Sequence, residues 1–591
     1  MRRRVLAVCV CALVAAPAAL AATPTGPVYD ARGHLVQTPF APVEPKPQLT
    51  KQAALAAFLA NGKVHDWLDR YPRTQRLDEE TYDGKLRSWT VKIWWGEAGE
   101  IATGRVDDAT GAVLEAWTGP QVAWKMARGY KGAFGGTKIN NPWIWGAFCA
   151  AFLLGLADLR RPLSLRNLDL VALLSFSASL WFFNRGDIFT SVPLVYPPLA
   201  YLLGRAVWIG STGRMSRGRT TWPVWVLLGA TVFLAGFRIG LNVEASNVID
   251  VGYAGVIGAE RIANGQAPYD HMPVEDELKP CGPADSEGEI RDRIQTNGRC
   301  ESANAQGDTY GPVAYEAYLP GYLIKGWSGK WDDLPAAHLT SILWDVLCLI
   351  GLALVGLRFG GLRLAATLAF AWAAYPFTQY ASNSNTNDMI LPAILIWGFW
   401  LSTSDTARGA FAALGAWTKF APLVIAPLWL TYPDRRPRPR AVAGFVVATV
   451  AAFSILLLEP NLWHALGQFW HRTLGWQIGR QSPFSIWDWR QYHARGLPNL
   501  HAVQIVLEVL LGVGAVAAAF WPRRKSPLQL AALTAALLIG FELVLTHWFY
   551  LYLPWFFPFI AFAALAPGRA EPVVESQEVR DREPRQLVVA G

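Results

Sequence analysis

From Trp143 onward the chain returns again and again to apolar runs of about 16 to 20 residues, of which "WPVWVLLGATVFLAGFRIGL" (222–241) is typical. A helix of that length covers the roughly 30 Å hydrocarbon core of a bilayer. Lipid offers no hydrogen bonds to a bare backbone, so such runs cross as helices. Composition agrees: 52% of 591 residues are hydrophobic, 17% are charged, and 28 are Trp. The formal charge of +8 would in a soluble protein point to nucleic acid. Here the Arg residues cluster in short loops between apolar runs, where they set orientation. The partner implied is membrane lipid, and nucleic acid is excluded.

The start, "MRRRVLAVCVCALVAAPAALAATP", has a basic head, an apolar centre and Ala19-Leu20-Ala21 as a small-residue cleavage site. It reads as a signal peptide over 1–21, with a retained anchor as the alternative. Either way the following segment is exported. Walking the runs from outside with the positive-inside rule gives spans at 143–158, 168–183, 191–209, 222–241, 338–357, 363–378, 388–402, 441–458, 501–520, 528–545 and 549–566. "GAFAALGAWTKFAPLVIAPLWL" begins and ends beside Arg residues assigned to the cytoplasm and carries Lys419 and Pro422 near its middle, so it reads as a broken hairpin of two short helices. The expectation is an α-helical multipass bundle of about 11–13 transmembrane helices over 141–566. An exported loop at 243–337 and a cytoplasmic tail at 567–591 go with it, in the cell membrane.

Residues 22–140 are polar. Alternation in "SWTVKIWW" and "EIATGRV" predicts strands, "DDATG" a tight turn, and "TKQAALAAFLANG" a helix, giving a small exported α+β domain. The stretch "WTVKIWW...IATGRVDDATGAVLEAW" resembles a PepSY-type domain, which implies a binding or regulatory module and no catalytic residue. Cys9 and Cys11 fall in the signal and Cys149 and Cys348 in spans, leaving Cys281 and Cys300 in the exported loop. The two are expected to form a disulfide, with free thiols as the alternative.

The stretch "SNVIDVGYAGVIGAERIANGQAPYD" puts Asp250 at the lipid boundary as the chain leaves a span, followed by Tyr253 and a short helix. A lone Asp there is often only a helix-terminal charge. This one is followed in order by "GDTYGPVAYEAYLP", "NSNTNDMILPAILIWGFW", "GAWTKFAPLVIAPLWL", "GRQSPFSIWDW" and "THWFYLYLPWFFP". In that order these stretches, over roughly residues 165–566, resemble polyprenyl-phosphate-sugar-dependent glycosyltransferases of the GT-C superfold, most closely glycosyltransferase family 87. The resemblance implies transfer of mannose or arabinofuranose from a polyprenyl-phosphate donor to a cell-envelope glycan or glycolipid on the extracytoplasmic side, with Asp250 as general base. Family members commonly place that Asp after the first span, whereas three predicted spans come before the one that Asp250 follows, and Asp187 in "NRGDIFTSVP" is the rival.

Inverting transfer needs a carboxylate to take the acceptor proton, and cations or donors for the departing lipid phosphate. Candidates for substrate binding are Tyr253, Asp308, Tyr310, Lys419, His471, Arg472, Arg480 and His547. Lys419 inside an apolar segment costs about 2.5–3.5 kcal/mol and asks for a partner or a phosphate, unless it snorkels to an interface. Asp308 either orients an acceptor hydroxyl or serves the turn before Gly311-Pro312. Trp463, Trp470, Trp487, Trp489 and Trp548 read as interface-belt residues before sugar platforms. The exported loops have no Walker-type loop, no His-Glu-x-x-His and no Asp-x-Asp pair. A lipid-linked donor with no required cofactor is therefore expected, and a divalent metal is allowed but not predicted. The competing reading is a transporter or flippase for a lipid-linked glycan with the hairpin as its midplane site.

Overall fold

A computed structural model describes residues 28–29, 31–37, 46–214, 218, 220–274, 278–282, 290–304, 307, 309–331, 333–479, 482, 484–488 and 498–566. The signal segment, the tail, Asp308 and Arg480 lie outside these. The chain forms two compact units, one up to Thr118 and one from Gly119. The boundary thus falls before the expected one at residue 140. The reason is aromatic: Trp124 stands edge-on to Phe484 at 4.1 Å, and Phe134 packs on Phe549 at 4.2 Å, so 119–141 belongs to the second unit.

In the first unit, helices α1 (Lys51–Leu59) and α2 (Gly62–Leu68) precede an antiparallel meander of β1 (Arg76–Asp83), β2 (Ser88–Trp95), β3 (Gly99–Asp107) and β4 (Val113–Thr118). The alternation in β2 buries Trp89, Val91 and Ile93 on one face, as a half-covered strand requires. The expected tight turn forms where Asp107 accepts from Thr110 N and Oγ1 at 2.7 and 2.6 Å. Asp108 staples the helical lead to the sheet, accepting from Gln48 N, Leu49 N and Trp89 Nε1.

The second unit is a helical bundle. Its main helices are α3 (Pro142–Leu156), α4 (Leu165–Phe183), α5 (Tyr196–Thr212), α6 (Val224–Ala245), α7 (Asp250–Ala263), α8 (Pro335–Ala374), α9 (Pro376–Asn383), α10 (Ile390–Trp400), α11 (Asp405–Lys419), α12 (Ala426–Thr431), α13 (Pro439–Phe453), α14 (Leu462–Trp470), α15 (His501–Phe520), α16 (Pro527–Val544) and α17 (Leu553–Leu565). Among the described residues, six helical segments are long and apolar enough to cross a membrane: Ile188–Thr212, Val224–Ala245, Pro335–Ala374, Pro439–Leu458, His501–Phe520 and Pro527–Val544. Four shorter apolar helices join them, at Pro142–Leu156, Asn387–Trp400, Ala421–Thr431 and Tyr550–Leu565. The expected eleven full-length spans are therefore not all realised as separate long helices. The expected spans 338–357 and 363–378 are two helices within Pro335–Ala374, divided at Gly361, whose φ of +73° and ψ of −171° leave helical geometry; the chain doubles back there, and a Cβ at Gly356 would collide with the backbone of Ala365. Others are shortened by 3-10 turns.

Apolar contact gains little in lipid, so close packing and polar links hold such bundles together. Helices α11 and α13 approach so closely that a Cβ at Gly409 or Gly444 would collide with the carbonyl oxygen of Ala441 or Thr406. Buried ion pairs tie other helices. Asp169 on α4 accepts from Arg205 on α5 at 2.7 Å, and Arg238 on α6 reaches Asp345 on α8, which also accepts from Trp372 Nε1 at 2.7 Å. Each charge is affordable within an apolar bundle because its partner is there.

Candidate functional site

The break in the hairpin lies where the sequence put it. Helix α11 stops at Lys419, Phe420 takes φ +56°, and a 3-10 turn at Ala421–Ile425 leads to α12. Lys419 ends the helix with its ammonium 2.6 Å from Asp388 Oδ1, and both side chains are buried. Asp388 Oδ1 also accepts from Trp555 Nε1 at 3.1 Å, and its Oδ2 from Thr386 Oγ1 at 2.6 Å. The rings of Trp555, Tyr552 and Tyr310 surround the ammonium at 5.1, 5.2 and 5.5 Å, a cation–π arrangement strengthened by exclusion of water. This answers the demand Lys419 made as a charge in an apolar segment.

Asp388 ends the polar run Ser382–Asp388, which is buried throughout. That run lies along the link between α6 and α7: Asn247 N donates to Asn383 O at 3.3 Å, and a Cβ at Gly252 would collide with Asn385 O. Helix α7 begins at Asp250, whose side chain is exposed at the helix N-terminus, the positive end of its dipole. Asp250 Oδ1 accepts from Val251 N at 2.9 Å. Trp331 Nε1 holds the carbonyl of Val248 at 3.0 Å, fixing the approach to the helix. One face of α7 and the Asp388–Lys419 pair are thus positioned by a single polar loop.

Tyr253 does not line this site. It is wholly buried, stacks on Trp331 at 4.6 Å and donates its hydroxyl to the carbonyl of Ser302. Burial, reinforced by the carboxylates of Glu301 and Asp292, pushes its phenol above the ordinary tyrosine range. It shapes the ground on which Asp250 stands. The rival Asp187 caps the short helix Ile188–Ser191, accepting from Thr190 N at 3.1 Å.

His547 joins the cluster through Tyr552, ring to ring at 6.3 Å, while its Nδ1 pairs with Ser482 Oγ at 2.7 Å. His471 and Arg472 fall on a π-turn, His471–Gly475, that follows α14. His471 is exposed. Phe469, two residues before it, packs on Tyr269 at 5.3 Å and Phe420 at 6.4 Å, and Tyr269 donates to Tyr310 O at 2.8 Å. Among the belt candidates Trp463 and Trp470 are exposed, as expected, whereas Trp487 and Trp548 are core residues, Trp548 donating to Glu542 at 3.0 Å. Trp489 lies outside the described residues. Cys281 and Cys300 are bonded, Cα atoms 6.0 Å apart, beside a two-stranded ladder of Asp292–Ile294 with Cys300–Ser302.

Sequence reasoning missed Asp388, Trp555 and Tyr552. The signal for Asp388 was present in "SNSNTND", a polar run abutting an apolar one, and in the unmet charge of Lys419. No group of three or more His, Cys, Asp or Glu side chains able to hold a metal occurs among the described residues.

Fold and site together define a multipass membrane protein in which one buried polar loop holds a boxed ammonium beside the start of the helix that carries an exposed carboxylate. Residues 309–546 match the model of glycosyltransferase family 87, and the chain carries that family's domain: it is a membrane glycosyltransferase. The matched span takes in Tyr310, Asp388, Lys419, His471, Arg472 and Arg480, and it begins after Asp250 and ends just before His547. No curated protein matches the chain. The family sets the chain among enzymes that move sugars, against the alternative of a lipid-linked-glycan transporter.

Proposed function

We propose that the protein transfers a sugar, mannose or arabinofuranose, from a polyprenyl-phosphate donor to a cell-envelope glycan or glycolipid on the extracytoplasmic side, with inversion. The observation that carries this reading is the joint placement of exposed Asp250 and boxed Lys419 by the loop Asn383–Asp388. Asp250 takes the proton of an acceptor hydroxyl, the freed oxygen bonds to the anomeric carbon, and the bond from that carbon to the phosphate oxygen breaks. The electron pair leaves with polyprenyl phosphate, whose charge Lys419 meets, with His471, Arg472, Arg480 and His547 as further donors. Asp308 and Tyr310 orient the acceptor. No cofactor enters this scheme. The first unit is an exported PepSY-like binding or regulatory module, a reading supported by two helices followed by a meander with the Asp-x-x-Thr-Gly turn.

The test is transfer by purified protein from a synthetic short-chain polyprenyl-phosphate sugar, compared with the same sugar on a nucleotide. Transfer from the lipid donor alone, with release of polyprenyl phosphate and inverted product, is expected. Transfer from the nucleotide sugar alone would overturn the donor assignment.

A further inference from the structure

The loop Asn383–Asp388 holds Lys419 through Asp388, and its other end bears on the helix of the proposed base. Asn385 is the residue that does this. It is fully buried, and its backbone adopts φ +52°, in the left-handed region that a non-glycine residue enters only when its surroundings fix it. Every polar group of its side chain is engaged with the α6–α7 link. Nδ2 donates to Ser246 Oγ at 2.9 Å and to Asn247 O at 2.8 Å, and Oδ1 accepts from Asn242 Nδ2 at 2.9 Å. Its carbonyl oxygen accepts from Tyr318 Oη at 3.2 Å and abuts Gly252, where no Cβ fits. His338 closes the network, its Nδ1 3.1 Å from both Ser246 Oγ and Asn242 Oδ1.

We infer that Asn385 is a positioning residue for the transfer: it fixes the start of α7, and with it the Asp250 carboxylate, relative to the phosphate-binding Lys419. The inference rests on the reading of Asp250 as base. Asn suits the task because its carboxamide supplies two donors and an acceptor on one short side chain and tolerates the left-handed backbone better than most residues. The consequence is kinetic. A reacting group displaced by about 1 Å can lose about 10²-fold in rate, while donor binding through a separate cation is untouched.

The experiment uses full-length purified protein and three readouts: kcat and KM with a short-chain polyprenyl-phosphate sugar, the Kd of short-chain polyprenyl phosphate alone, and thermal melting. Asn385→Gly keeps the backbone conformation and removes the side chain, and Asn385→Asp keeps the shape and removes both donors. Both are expected to lower kcat about 10- to 100-fold, with the Kd for polyprenyl phosphate changed less than about 2-fold. In an Asp250→Asn background, Asn385→Gly is expected to add almost nothing, because the group it positions has lost its function. A melting Asn385→Gly protein with wild-type kcat overturns the inference, and so does a full-sized fall that persists in the Asp250→Asn background. If Asp250→Asn itself turns over at the wild-type rate, the base assignment fails and this inference with it. Should Asn385→Gly not fold, Ser246→Ala removes one of the acceptors alone. Its expected fall in kcat is about 5-fold, and an unchanged kcat there is equally adverse.

Discussion

Lys419 and Asp388 meet at 2.6 Å across 31 positions of sequence, joining the break of the α11–α12 hairpin to the polar loop that follows α9. Backbone that leaves helical geometry within an apolar segment survives only against protein neighbours. Here the pair and the rings of Tyr310, Tyr552 and Trp555 are those neighbours.

Removing one member of a buried pair strands the other, at a typical cost of about 3–5 kcal/mol. Lys419→Met and Asp388→Asn are each expected to lower the melting temperature sharply. The double variant is expected to melt above either single one while remaining inactive. Additive losses of stability would show that the two do not act as a pair.

The Cys281–Cys300 bond closes a loop with a sequence separation of 19, worth about 3 kcal/mol by chain entropy. Cys281→Ser, Cys300→Ser and the double variant should lose the same stability in thermal melts. Three distinct phenotypes would argue against a shared crosslink.

Glu316 ends the short helix Pro312–Glu316, and burial pushes its carboxyl from the ordinary 4.5 up to about 7. The folded protein therefore binds more protons than the unfolded chain between about pH 4.5 and 7. Its contribution to stability is complete below that window and is lost as pH rises through it. Glu316→Gln should flatten the pH dependence of melting across the window and raise stability above pH 7. An unchanged pH profile would remove Glu316 from the account.

The proposed sidedness rests on the Arg-rich loops. A cysteine introduced at exposed Lys330 should react with a membrane-impermeant thiol reagent from outside, whereas one at exposed Thr212 should not. Equal labelling at both would undo the placement of the catalytic loops.

Much of this arrangement is legible in the sequence because lipid makes polar groups expensive. Apolar runs mark the helices, Lys419 marks the break, and the place of Cys281 and Cys300 together in one polar loop marks their bond. What escaped depends on contacts between distant segments. Asp388 cannot be paired with Lys419 by spacing, and Tyr552 and Trp555 look the same as belt aromatics until α17 is packed. Tyr253 follows Asp250 by three residues and reads in sequence as part of its site, yet one helical turn carries it inward against Trp331. The boundary at Gly119 was hidden because Trp124 and Phe134 lie in a segment with no long apolar run.

The central claim is that Asp250 leaves the membrane where it does in order to deprotonate an acceptor hydroxyl, and Asp250→Asn tests it most directly. The substitution keeps size and most hydrogen bonding and removes the basic carboxylate. Transfer from a short-chain polyprenyl-phosphate sugar should fall about 10² to 10⁴-fold, with polyprenyl-phosphate binding and melting little changed, while Asp187→Asn stays near the wild-type rate. A folded Asp250→Asn protein that transfers sugar at the wild-type rate, or an Asp187→Asn protein that shows the loss instead, would contradict the account.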